Sequence, residues 1–309
     1  MYDTLQPDLI TATPRERQLM KVDPTYVVSW DIFSENQFPY MEVRRPFILG
    51  TQKQQWKATI AHRFMELLHT KTVGDNGKSK LTRIYTQNID GLDHQCAKIP
   101  KEQIVNVHGS LSQAACEGCG TPMDISEFGK KVERNIKDIY NLPDTMAPAE
   151  STPILCNNCK KPLVKPTTVL FGRNLPSEFF ERAEEDMPSL DLLIVAGTSL
   201  VVSPANSLVY QCSDRTIRVV VNQDPVGQEL GMEYSDREVE TTIADSKHDD
   251  FDWFDPSSSA HKRDFFAQGT CEEIFLELAT ELGWLEDLQA TIDALPSDSA
   301  KMVRERLGV

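Results

Sequence analysis

Two short apolar runs that end in polar residues are the first places in this sequence where chemistry could occur. Both runs, 81–85 and 104–107, are rich in β-branched and apolar side chains, as buried strands are. The polar residues that follow them are Gln87, Asn88, Asp90 and His108. Because ligands of parallel α/β sheets bind beyond the carboxyl ends of the strands, we expect these side chains to face one crevice. His108 would be its general base, since histidine titrates near neutral pH.

Each of these two motifs is also an ordinary turn sequence. A histidine beside a glycine often caps or turns the chain, and Asn-Ile-Asp-Gly is a common exit from a strand. Neither motif alone therefore decides between a catalytic site and plain structure.

Four of the seven cysteines form two Cys-x-x-Cys pairs, which are Cys116 with Cys119 and Cys156 with Cys159. Two such pairs make a closed tetrahedral site for a structural zinc ion, with no open position for chemistry. A redox pair is the alternative, and the surrounding Gly, Asn, Pro and Lys residues favour zinc. An odd number of cysteines, in a chain whose start has no secretory pattern, argues against a disulfide framework.

Length and composition exclude several classes of protein. The 309 residues are 40% hydrophobic and 26% charged, which suits one sizeable core plus a smaller module. No run approaches the roughly 18 apolar residues that span a bilayer. The net charge of −15 argues against a polyanionic ligand and is compatible with a basic peptide. We therefore expect an intracellular protein with no membrane span and no direct contact with nucleic acid.

Farther along the chain, two more apolar runs, 191–196 and 217–221, end in residues suited to nucleotide binding. The residues that follow these runs are Gly197, Thr198, Ser199 and Asn222. A glycine lets the backbone approach a phosphate or ribose, and hydroxyls and helix amides supply donors. Many βα turns share this pattern, so on its own it is a weak indication.

The run Thr-Gln-Asn-Ile-Asp-Gly-Leu-Asp at 86–93, followed fifteen residues later by His108-Gly-Ser, resembles the signature of the sirtuins. These are NAD-dependent protein lysine deacylases. Sirtuins also carry a four-cysteine zinc module after the His-Gly segment, and both cysteine pairs of this chain match it. The order of segments looks closest to the deacetylase branch with nuclear and cytoplasmic members.

The resemblance implies an α/β fold, with a Rossmann-like parallel sheet and a small inserted zinc-binding domain. Residues 1–55, rich in Pro and polar residues with short helical patches, would be the helical part of the small domain. Residues 56–112 and 165–309 would form the NAD-binding domain, with an amphipathic helix at 56–69. Residues 113–164 would be the zinc-binding module, holding one structural Zn²⁺ per chain.

The resemblance also implies a reaction and a set of residue roles. The acyl oxygen of a lysine attacks the nicotinamide ribose carbon of NAD⁺, nicotinamide leaves, and a histidine takes a ribose hydroxyl proton so that the acyl group moves to ADP-ribose. The implied catalytic residues are His108, Asn88 and Asp90. The implied cofactor-binding residues are Gln87, Asn88, Asp90, Gly197, Thr198, Ser199, Asn222 and Cys271. The implied acyl-lysine peptide site, where the peptide lies as an added strand, is Val169, Leu170, Phe171 and Gly172.

The sequence departs from the family pattern in two places. Arg173 and Thr167 stand where sirtuins usually have acidic residues, and Leu170 stands where they have an aromatic one, which bears on peptide preference more than on the reaction. Sirtuins also have a Gly-Ala-Gly-x-Ser turn ahead of the Tyr-Asp that appears here as Tyr2-Asp3. We therefore expect a truncated form or an incomplete gene model, with impaired activity.

Two other functions stay open at this point. A non-catalytic, zinc-stabilised peptide-binding module would keep the peptide site without cofactor binding. A protein mono-ADP-ribosyltransferase would use the same site with a different acceptor. In the deacetylase case the substrates would be acyl-lysine proteins, including histone tails, in the nucleus or cytoplasm. The segment 228–255, with ten acidic and two basic side chains, is expected to be a solvated loop rather than a docking site.

Overall fold

The structure, a computed structural model, describes residues 5–142, 146–234 and 263–308. The chain divides into two compact units, Met1–Phe180 with Asp287–Val309 as the first unit and Glu181–Glu286 as the second. Tyr2, Asp3 and the stretch 235–255 lie outside the described residues. In the ranges that are described, every helix is too short or too polar to cross a membrane. The division into domains implied by the resemblance stays a prediction.

The α-helices of the described residues are α1 (Pro14–Val22), α2 (Trp30–Phe33), α3 (Phe38–Gln52), α4 (Ile60–Lys71), α5 (Ile125–Asn135), α6 (Ser177–Asp186), α7 (Leu208–Gln211), α8 (Cys271–Glu281), α9 (Leu285–Gln289) and α10 (Ser297–Leu307). The strands are β1 (Ile84–Thr86), β2 (Ile104–Asn106), β3 (Ala114–Cys116), β4 (Pro122–Met123), β5 (Val164–Pro166), β6 (Leu192–Ala196), β7 (Ile217–Asn222) and β8 (Asp264–Gln268).

The N-terminal part is helical, as the sequence predicts, but α3 is a 15-residue helix rather than a short patch. Its length follows from burial, because Tyr40, Val43 and Ile48 are all 1% exposed or less and belong to one hydrophobic core. Such burial outweighs the weak intrinsic preference of β-branched residues for helix.

The same core joins α3 to the zinc module. Helix α5 packs its buried Phe128 and Val132 into it, and α3 and α5 are in direct contact. Arg45 of α3 is 1% exposed, and its guanidinium donates hydrogen bonds to the carbonyl oxygens of Ile136 (2.7 Å) and Glu133 (3.0 Å). Carbonyls at the end of a helix have no intrahelical partner, so Arg45 satisfies the end of α5.

Helix α4 begins at Ile60, four residues later than the predicted start at 56. Thr59 and His62 form a capping box at this start, in which His62 Nδ1 lies 3.2 Å from the Thr59 N and 3.0 Å from its hydroxyl. Side chains of this kind satisfy the first free amides of a helix and define where it starts.

Parallel strands occur in both units, which confirms the α/β class. In the first unit β1 pairs with β2 in parallel, and β1 occupies only the end of the predicted run 81–85. In the second unit the order is β6-β7-β8, all parallel. Parallel sheets in both units agree with the predicted Rossmann-like α/β fold. A third sheet, antiparallel with the order β4-β3-β5, carries the zinc module.

Candidate functional site

The exits of β1 and β2 lie side by side in the first unit. The register pairs Thr86 with Asn106, and the Val107 N–H donates to the Thr86 carbonyl at 3.0 Å. The two loops that follow therefore start next to each other. His108, half-buried, lies with its Nδ1 3.1 Å from the carbonyl oxygen of Gln87. The two strand exits therefore meet at His108 and Gln87, and a crevice shared by all four side chains stays a prediction.

The contact with Gln87 selects the tautomer of His108. A carbonyl oxygen can only accept a hydrogen bond, so Nδ1 must carry the proton in the neutral ring. Nε2 is then left with a free lone pair, which is the form a general base needs.

The backbone of His108 is held as firmly as its ring. Its carbonyl accepts a hydrogen bond from the Val169 N–H at 2.8 Å. Gly109 has a φ of +73°, and a Cβ at this position would lie 2.7 Å from the carbonyl carbon of Thr167. Only glycine allows this close approach of the two backbones. The residue after the histidine is therefore what lets the loop pack against the stretch that starts at 167.

Asn88 and Asp90 are positioned by Ile89 between them. Ile89 packs against the hydrophobic core of the first unit, and its carbonyl accepts from the Leu111 N–H at 2.8 Å. Asn88 is exposed, and the Asp90 carboxylate accepts from the Leu92 N–H at 3.0 Å. Across residues 5–142 the structure shows no hydrogen bond from either residue to His108, so their catalytic roles stay predictions.

The stretch Val169 to Gly172 is not a regular strand. Strand β5 ends at Pro166, and the stretch makes one isolated parallel bridge, between Phe171 and Ser29. The Phe171 N–H donates to Val28 O at 3.0 Å, and Phe171 O accepts from the Trp30 N–H at 2.9 Å. Gly172, with a φ of +85°, then turns the chain.

Side chains in this stretch divide between the core and the surface. Leu170 is buried at 1% exposure, whereas Phe171 is 52% exposed. The Val169 N–H is already bonded to His108, so the stretch begins against the candidate base. Its position is compatible with the predicted peptide site, which stays a prediction.

The four cysteines of the zinc motif converge. All four sulfur atoms lie within 4.8 Å of one another, with 3.6 Å between Cys116 and Cys159 and 3.7 Å between Cys119 and Cys156. Each pair sits on a tight turn, in which the Gly120 N–H donates to Cys116 O and the Lys160 N–H donates to Cys156 O. The set fits one tetrahedral ion with sulfur ligands, as zinc prefers.

The electrostatics of the cysteines also fit a cation. Burial raises the pKa of Cys116 to about 12, whereas a hydrogen bond between Cys119 and the Thr121 hydroxyl lowers the pKa of Cys119 to about 6. A buried thiol of this kind becomes a thiolate only when a positive charge compensates it. Zinc supplies that charge, because binding displaces the thiol protons.

In the second unit, the residues predicted for the dinucleotide gather at the carboxyl edge of the sheet. The Gly197 N–H donates to Val221 O at 3.0 Å, and Asn222 Nδ2 donates to Thr198 O at 3.3 Å. Gly197 has a φ of +62°, and a Cβ there would lie 3.2 Å from Cys271 Sγ at the start of α8. Ser199 is exposed. The edge thus brings a glycine, two hydroxyls and a helix start to one place.

Sequence reasoning missed a buried ion pair at the opposite, amino end of the same strands. Arg218, the second residue of β7, is 1% exposed and binds the Asp264 carboxylate through two hydrogen bonds of 2.5 Å each. The guanidinium also donates to Gly231 O at 3.1 Å, and Asp264 accepts from the Glu233 N–H at 2.8 Å. The pair therefore anchors the loop that follows Asn222. The signal available in the sequence was an arginine inside an apolar strand.

The chain matches a known protein family over most of its length. A model of the Sir2 family matches residues 14–204. The chain is 30% identical to "NAD-dependent protein deacetylase sirtuin-2" of Danio rerio, over 87% of this chain and 61% of that protein. It is 27% identical to "NAD-dependent protein deacetylase hst2" of Schizosaccharomyces pombe, over 84% and 61%. It is 34% identical to "NAD-dependent deacetylase sir2D" of Dictyostelium discoideum, over 64% and 32%.

The matches cover 61% of the length of the first two relatives, so the chain corresponds to part of each of those proteins. The family match includes β1, β2, the four cysteines and β6, and thus both cysteine pairs and His108. The resemblance inferred from the sequence motifs is confirmed: this chain belongs to the Sir2 family.

Proposed function

We propose that this chain is an NAD-dependent protein lysine deacetylase, which transfers the acyl group of a lysine to ADP-ribose and releases nicotinamide. One observation carries the proposal. His108 contacts the loop after β1 through its ring and the stretch at 169–172 through its carbonyl. Acyl transfer from a substrate to a cofactor requires a base that lies close to both, and His108 contacts both segments. The names of the relatives support the same activity.

The residues that would hold NAD⁺ are those implied by the family resemblance. They are Gln87, Asn88 and Asp90 in the first unit and Gly197, Thr198, Ser199, Asn222 and Cys271 in the second. When bound, NAD⁺ supplies the ribose carbon that accepts the acyl group and the ribose hydroxyl that must lose a proton. Gly197 and the hydroxyls of Thr198 and Ser199 suit phosphate or ribose, and the Asn222 amide suits a ribose hydroxyl.

His108 would take the ribose proton at Nε2. Its Nδ1–H is committed to Gln87 O, so only Nε2 has a lone pair in the neutral ring. Once Nε2 is protonated, the Gln87 carbonyl dipole stabilises the positive ring from the other side. The four-cysteine zinc site would be a scaffold, because sulfur ligands close its coordination sphere.

The substrate would be an acyl-lysine in an extended peptide, bound beside Val169 to Gly172. We include histone tails among the substrates, in the nucleus or the cytoplasm, with neither nucleic acid nor membrane as a direct partner. The net charge of −15 favours the approach of basic segments such as these.

The test is the conversion of an acetyl-lysine peptide in the presence of NAD⁺, with nicotinamide and peptide products identified by mass spectrometry. His108→Ala should lower turnover by roughly 10²- to 10⁴-fold, the range for loss of a general base. His69→Ala, which changes a half-buried histidine on α4, is the matched control and should leave turnover unchanged.

The products separate the other candidate functions from this one. A labelled ADP-ribose on a protein acceptor would indicate a mono-ADP-ribosyltransferase. Peptide binding without nicotinamide release would indicate a non-catalytic binding module. Equal turnover by the wild type and His108→Ala would remove His108 from the mechanism.

A further inference from the structure

Two cations share one carboxylate next to the stretch at 169–172. Lys165 Nζ lies 2.8 Å from one oxygen of Glu117, and Arg173 Nη2 lies 3.5 Å from the other. The Lys165 side chain is 0% exposed, and its ammonium also donates to Pro166 O at 2.9 Å and to Thr168 O. A charge buried this completely requires a close counter-ion. Glu117 is therefore committed to Lys165.

The consequence is an unbalanced positive charge at Arg173. These three side chains, two cations and one anion, carry a net charge of about +1, and Arg173 is the exposed cation of the three. The Arg173 side chain is 45% exposed, and its guanidinium lies over the Trp30 ring, 4.7 Å from the centroid. Stacking holds the group in place without neutralising it, so little side-chain freedom is left to lose on binding.

Arg173 is placed where a bound peptide would pass. The Val169 and Phe171 amides donate to His108 O and Val28 O. An extended backbone points alternate amides to opposite edges, so the Leu170 N–H faces the other edge. In the range 146–234 together with 5–142, no protein acceptor meets the N–H of Leu170 or Gly172. That edge leaves two amide donors for an added strand.

The turn at Gly172 brings Arg173 back to this edge. The Arg173 N–H donates to Leu170 O at 3.0 Å, which closes a four-residue turn. The two Cα atoms of such a turn are less than about 7 Å apart. Since an extended peptide advances about 3.3 Å per residue, this separation corresponds to about two residues of a bound peptide.

We propose that Arg173 determines substrate specificity, selecting acyl-lysine peptides that carry Asp or Glu within two residues of the acyl-lysine. The proposal rests on the function proposed above and names the substrate class of the same site. The overall charge favours basic segments at long range, whereas Arg173 acts on one neighbouring position at contact distance.

The experiment uses acetyl-lysine peptides that differ only at the positions flanking the acetyl-lysine, with Glu, Gln or Lys there. For the full chain, kcat/KM should be roughly three- to tenfold higher with Glu than with Gln, the range between an exposed ion pair and a preorganised charge-assisted hydrogen bond. Arg173→Gln should bring the Glu-to-Gln ratio to about one, and Arg173→Glu should make the Lys peptide the preferred one. The preference should weaken as salt is added.

Arg182→Gln is the matched control, because Arg182 is 39% exposed and paired with Glu185 at 2.9 Å on α6. This variant should keep the wild-type ratio. The same peptides, labelled for fluorescence anisotropy, report affinity whether or not turnover occurs. Equal affinity for the Glu and Gln peptides, or an unchanged ratio in Arg173→Gln, overturns the role of Arg173. Absence of nicotinamide release with the Glu preference intact in binding overturns the deacetylase proposal instead.

Discussion

Replacing Gly109 by alanine tests how the loop of the candidate base is held. The added Cβ would lie 2.7 Å from the Thr167 carbonyl carbon and 2.8 Å from Thr168 Cα, and closer still to Thr167 O. Thr167 cannot move away freely, because its N–H donates to Gln113 O at 3.0 Å and its hydroxyl donates to Ser110 O at 3.2 Å. The two segments must therefore separate.

Two contributions give the size of the effect. Alanine at a φ of +73° costs about 1–2 kcal/mol, offset by about 0.4–1 kcal/mol from the stiffer unfolded chain. Separation breaks the bonds from Thr167 Oγ1 to Ser110 O and from Val169 N to His108 O, each worth about 0.5–1.5 kcal/mol. We expect a loss of about 1–5 kcal/mol in the free energy of unfolding. Turnover should fall too, since the backbone of His108 shifts.

Gly77→Ala is the matched control. Gly77 has nearly the same φ, +72°, but a Cβ there meets no atom within 4 Å. Gly77→Ala should lower the free energy of unfolding by the backbone strain alone. The two variants should therefore differ by about 1–3 kcal/mol, the value of the two hydrogen bonds. Urea unfolding followed by tryptophan fluorescence measures both. Variants equal to within about 0.5 kcal/mol would refute this account of the loop.

Three further predictions concern the metal and the buried charges. Cys116→Ser should remove one zinc per chain and unfold 113–164, because a structural zinc contributes on the order of 10–16 kcal/mol; metal analysis that finds folded protein without zinc contradicts this. Burial lowers the pKa of Lys165 in the folded protein. At high pH the unfolded chain therefore binds more protons than the folded one, and the contribution of Lys165 to stability rises as the pH approaches about 10.4. Lys165→Met should remove that slope in urea midpoints between pH 7 and 10, and parallel pH profiles would count against it. Asp264→Asn leaves the buried Arg218 without its counter-ion and should lower the free energy of unfolding by about 3–5 kcal/mol in thermal or urea unfolding. The control Asp214→Asn, in an exposed pair, should lower it by less than about 1 kcal/mol. Similar losses in the two variants would show that burial is not the cause.

Local sequence was sufficient for the features that depend on local spacing. A Cys-x-x-Cys pair turns two thiols toward one point within four residues, so the zinc ligands were predictable and their sulfurs converge. The pairing of His108 with the exit of β1 was also predictable, because parallel strands place their carboxyl ends together. The residues after each strand were predicted correctly even where the strand is shorter than predicted, because only the position of the strand end matters for them.

Element boundaries and the pairing of one extended stretch were decided by capping and tertiary contact. Helix α4 starts where Thr59 can cap it, not where apolar periodicity begins. The stretch at 169–172 has the composition of a strand, yet it makes a single bridge because Gly172 turns the chain away after Phe171. Composition predicts the preference for extended backbone, but strand pairing requires a second segment along the whole length.

The sequence by itself determined the zinc ligands, the strand-exit residues and the family. Only the tertiary structure decided which charges are buried and which are presented. Arg218 and Asp264 are 46 positions apart, and Lys165 depends on Glu117 in the first cysteine knuckle. The charge of exposed Arg173 is only partly balanced, because the Glu117 carboxylate lies closer to Lys165, at 2.8 Å, than to Arg173, at 3.5 Å. The free energy of a charge depends on its surroundings, and these surroundings come from segments that are distant in the chain.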